Sequence, residues 1–93
     1  GATLAEALAE TGDTREAFRV LDEMDPILKN IPVGMTHGVV ERAHAVVLLK
    51  AGKIAEAKSA TDRAEAIFKG QGPAAEIYLK SFPAFRKRLA AGR

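Results

Sequence analysis

The sequence predicts an all-α fold of antiparallel helical hairpins, and three observations carry that prediction. Apolar residues recur at helical spacing between regularly placed glycines and prolines. No stretch alternates apolar and polar residues long enough to form a strand, and the apolar run Val46–Leu49 lies inside a longer helical pattern. Alanine supplies 18 of the apolar residues while aromatics make up 5%, so small side chains must fill many core positions and let backbones approach closely. That composition favours packed helices over sheets.

The elements follow in order. A first helix over 2–11 carries Leu4, Ala5 and Leu8 and ends at Gly12, which can take the left-handed conformation that closes a helix. Asp13, with Glu16 three residues later, starts a second helix over 14–30, striped by Ala17, Val20, Leu21, Met24 and Leu28. Pro26, Pro32 and Gly34 mark its exit. The third helix, 36–51, carries Val40, Ala43, Val47, Leu48 and Ala51 and closes at Gly52. The fourth, 53–69, carries Ala57, Ala60, Thr61, Ala64, Ile67 and Phe68. Gly72 before Pro73 suits a helix over 73–80, and Ser81 before Pro83 suits another over 83–91.

Ninety-three residues make one domain. The absence of cysteine excludes disulfides, thiolate metal sites and thiol nucleophiles, and permits a reducing compartment, so a cytoplasmic location is favoured. No apolar run approaches the roughly 20 residues of a membrane span, which argues against a membrane partner. Charge is unevenly spread: residues 1–46 hold four basic and eight acidic side chains, residues 47–93 ten and four. Such asymmetry suits end-to-end self-association or an acidic partner for the second half, and solvated helix faces produce it as well.

The strongest internal signal is a repeat. LAEALAETGDTREAFRVLDEM lies over HAVVLLKAGKIAEAKSATDRA, so that Leu8 matches Leu48, Gly12 matches Gly52, Glu16 matches Glu56 and Ala17 matches Ala57. Ala5 and Ala45 take matching small positions on the first helix of each pair. This pattern resembles the tetratricopeptide repeat, with a leucine four residues before the turn glycine and Glu-Ala four and five residues after it. The resemblance covers about residues 1–69, in units of about 1–33 and 36–69. It departs from the family in a glycine-to-glycine interval of 40 residues, which places extra residues in DPILKNIPVG. It also lacks the bulky aromatic near the repeat start and has His44 where leucine is usual. The last segment, 73–91, lacks the turn pattern and reads as capping helices, which repeat arrays need because each unit buries its face only against a neighbour.

What the resemblance implies is a right-handed superhelical array, here a piece of a longer protein whose first helix starts about three residues before Gly1. The first helix of each pair would line the concave surface, which points to Glu6, Ala9 and Glu10 in the first unit and Arg42, Val46, Leu49 and Lys50 in the second. That face mixes both charges and lacks the lysine and asparagine cluster with which some family members hold a peptide's terminal carboxylate. The implied function is protein or peptide binding, as a scaffold module. The alternative is a regulatory or dimerisation arm of a bacterial signalling enzyme or transcription regulator.

Other chemistries find less support. His37, Glu41 and His44 stand at i, i+4 and i+7, a spacing that puts three metal-ligand types on one helix face. No further histidine or cysteine completes the set, and packing or loop roles explain both histidines, so no metal or cofactor is expected. No nucleophile elbow, phosphate loop or dinucleotide fingerprint is present, and no catalytic residue is assigned. Within the basic tail FRKRLAAGR, Phe82 and Phe85 stand at helical spacing, which fits packing on the preceding helix better than stacking on bases; nucleic-acid binding is disfavoured.

Overall fold

The computed structural model describes residues 1–92. Its order is α1 (Ala2–Glu10), α2 (Thr14–Leu28), α3 (Met35–Lys50), α4 (Ile54–Lys69), a 3-10 turn (Pro73–Ala75), the single-turn α5 (Glu76–Leu79) and α6 (Phe82–Ala91). Among the described residues there is no strand. The first four helices begin and end within two residues of the sequence expectation. The segment expected as one helix over 73–80 is instead a 3-10 turn running into one turn of α-helix.

The two glycine turns are hydrogen-bonded alike, atom for atom. After α1, the Asp13 N–H donates to the Leu8 carbonyl (2.8 Å) and the Gly12 N–H to Ala9 (3.0 Å); after α3, Lys53 donates to Leu48 (2.9 Å) and Gly52 to Leu49 (3.0 Å). These are the paired bonds of a Schellman closure, which needs a left-handed residue at its centre. Gly12 and Gly52 supply it, with φ of 96° and 81°. The starts of α2 and α4 differ: the Asp13 carboxylate accepts from the Glu16 N–H at 3.2 Å, whereas Lys53 offers no side-chain cap.

Each turn folds two helices back on each other, and the matching alanines of the two hairpins lie in the core. Ala5, Ala17, Ala45 and Ala57 are all fully buried, so each hairpin closes through side chains of one methyl group. Leu21, Val40, Ala43, Val47 and Ala60 extend the cluster across both hairpins. Thr61 is the one buried polar side chain among the described residues, and its hydroxyl donates to the Ala57 carbonyl at 2.7 Å, which removes the cost of burying it.

A second, smaller cluster joins the chain's last third to α4. The Phe68 ring stacks on Tyr78 at 4.8 Å and tilts against Phe82 at 5.9 Å, with Ala64 and Ala75 beside them. Gly38, in the first turns of α3, makes room for this ring. A Cβ built there would stand 2.7–2.9 Å from three Phe68 ring carbons, closer than packed atoms come.

Candidate functional site

The face marked by the sequence is formed by α1 and α3 lying side by side. Glu6 and Arg42 meet across it, with Arg42 Nη2 3.4 Å from Glu6 Oε1, and Lys50 Nζ lies 3.6 Å from Glu10 Oε2. The structure thus brings Glu6 to Arg42 and Glu10 to Lys50 as two charged rungs between the helices. Ala9, Val46 and Leu49 are buried, the last two with 5% and 2% of their surface exposed. They act as floor, and the four charged residues as rim.

The sequence expectation gives α6 as a capping helix with Phe82 and Phe85 packed inward, but does not place it over this face. Phe85 and Leu89 join the apolar cluster that holds Val46 and Leu49, so the C-terminal helix lies over the same face. Arg88 Nη2 donates to Glu10 Oε1 at 2.9 Å, and Arg86 Nη2 lies 3.0 Å from Asp62 and 3.2 Å from Glu65 on α4. The signal that could have found this was present: Phe82, Phe85 and Leu89 stand at i, i+3 and i+7 with arginines on either side of the stripe. What the pattern cannot give is the surface that the stripe covers.

A cleft of about 190 Å³ remains open beside α6, lined by Glu6, Arg42, Val46, Ser81, Phe85 and Arg88. Its polar edge is loosely held. Arg42 Nη1 stands 3.5 Å from Ser81 Oγ, while the Ser81 hydroxyl donates to the Tyr78 carbonyl at 2.7 Å. At the far rim, the hydrogen bond from Arg88 holds the Glu10 carboxyl below its ordinary pKa. Partial burial opposes this, and the positive charges of Arg88 and Lys50 add to it.

The histidine face resolves into local structure. His37 Nδ1 accepts the Gly34 N–H at 3.2 Å, and its Nε2 lies 3.0 Å from the Leu28 carbonyl, an arrangement that places the ring proton on Nε2. Both ring nitrogens are therefore used to tie the end of α2 to the start of α3. Glu41 pairs with Arg63 at 3.1 Å and His44 is half-buried. Among the described residues no group of three histidine or carboxylate side chains is placed to hold a metal ion.

In the basic tail, Arg86 and Arg88 are engaged by carboxylates of the chain itself, Phe82 and Phe85 are buried, and Arg93 lies outside the described residues. No described helix is long and apolar enough to cross a membrane. No protein-family model, curated protein or solved structure matches the chain.

Proposed function

We propose that this chain is a protein-recognition module of the tetratricopeptide type, its hairpins forming part of a right-handed superhelical array that binds a protein or peptide on the α1–α3 face. The role is binding, not catalysis. The observation that carries the reading is the repeated geometry itself. Two hairpins with the same turn bonds and the same buried alanines set their first helices side by side. This gives an apolar floor of Val46 and Leu49 between the rungs Glu6–Arg42 and Glu10–Lys50. In the cleft that α6 leaves open, with Val46 and Phe85 below Glu6, Arg42 and Arg88, apolar contact with a charged rim suits a peptide, since burial supplies affinity and the rim sets orientation.

A peptide library selected against the immobilised chain tests this. We expect binders of micromolar strength whose amide shift changes fall on α1, α3 and the adjoining face of α6, and which Arg42→Glu weakens at least tenfold. Binders that map to the outer faces of α2 and α4, or a library that yields none, would refute it.

A further inference from the structure

The α1–α3–α4 surface already holds a helix. Two anchors of α6, Phe85 and Leu89 at i and i+4, are 8% and 3% exposed and belong to the cluster formed by the two hairpins. Its flanks are matched by charge on opposite walls. Arg88 reaches Glu10 on α1, while Arg86 reaches Asp62 and Glu65 on α4. An aromatic and an aliphatic anchor one turn apart, with a cation on each side meeting a carboxylate on each wall, is helix-in-groove recognition carried out within one chain.

We infer that this surface is a receptor groove for a basic amphipathic helix, and that α6 is its resident occupant, exchangeable for a partner helix with the same anchors and flanking arginines. The inference rests on the protein-recognition reading and names the partner's chemistry.

Residues 70–81 form the tether from α4 to α6, folded as the 3-10 turn and α5. The anchors of α6 divide between two clusters. Phe82 belongs with Phe68 and Ala64, whereas Phe85 and Leu89 belong with the hairpins. The distal part of α6 can thus leave the groove while the aromatic cluster keeps hold of the tether. While it stays tethered, the resident helix competes at an effective concentration in the millimolar range, so a partner helix must out-compete it or meet a chain whose α6 is loosened.

The test uses a fluorescein-labelled peptide of residues 80–92 and the full chain. By anisotropy, the peptide should bind a Leu89→Asp chain at least tenfold more tightly than the native chain. Glu10→Lys in that background should weaken binding about tenfold, and a peptide carrying Arg88→Glu should recover it. Should Leu89→Asp lose its helical circular dichroism, the chain carrying Arg86→Glu and Arg88→Glu, whose apolar anchors are intact, is held to the same tenfold criterion. A folded variant that binds the peptide no better than the native chain makes α6 a permanent part of the fold and overturns the inference. Library-selected peptides that bind α1 and α3 while the amide signals of α6 stay in place would overturn it too, and would leave the protein-recognition reading standing.

Discussion

Single atoms decide much of this packing, and Gly38 shows how. In a helix, alanine is more favourable than glycine by about 1 kcal/mol, so Gly38→Ala gains that much from the backbone. The added methyl must stand within 3 Å of the Phe68 ring, which is fully buried and pinned by Tyr78 and Phe82. Overpacking of this kind costs about 1–3 kcal/mol, and a ring gripped by two aromatic neighbours puts the cost at the upper end. We therefore expect a net loss of about 1–2 kcal/mol, read as a lower urea midpoint with an unchanged slope. A midpoint that stays or rises would show that the ring slides aside freely. No sequence signal marked this glycine, because the helical pattern runs through it unbroken and its reason lies thirty residues away, on α4.

At the scale of elements, the turns and the inward packing of the capping helix were legible, and the reach of α6 to α1 was not. Gly12, Gly52, Asp13 and the alanine stripes are local signals, and the bonds they imply are present. The Arg88–Glu10 pair joins positions at opposite ends of the chain, and periodicity carries no information about such a partner. Of the residues marked as concave-face candidates, Glu6, Glu10, Arg42 and Lys50 were found at the rim and Val46 and Leu49 under α6, because spacing gives a residue's side of its own helix and not what is laid over it. The Glu10 pairing also predicts a pH response. Its carboxyl is depressed in the folded chain, mainly by the Arg88 hydrogen bond, so the carboxylate adds stability above its unfolded pKa. That contribution fades as pH falls through the folded value. Between about pH 5 and about pH 3, Glu10→Gln should lose less stability than the native chain. Equal losses in parallel urea titrations would mean that the pair does not hold α6.

For the whole molecule, the question is which surfaces remain to be covered. Leu4 is 53% exposed on α1, and Ile27 at the end of α2 and Ile31 and Val33 in the α2–α3 connection stand out from the stretch that lengthens the repeat interval. Exposed apolar side chains favour association, and the unequal charge of the two halves steers orientation while adding little once salt screens it. In sedimentation across a concentration series, we expect a weak dimer that survives high salt and is lost on Leu4→Glu. A strict monomer at high concentration would show that this face needs no cover.

The aromatic strap between α4 and α6 has a spectroscopic consequence. Tyr78 is the sole tyrosine, the chain has no tryptophan, and the ring is stacked on Phe68, within 4° of parallel. All phenolic absorption in the near ultraviolet therefore originates from one residue in one asymmetric stack. Its dichroic band and emission form an intrinsic, label-free gauge of whether the strap is seated, separable from the far-ultraviolet signal of the hairpins. Loss of the first with retention of the second would give the strap an optical signature of its own.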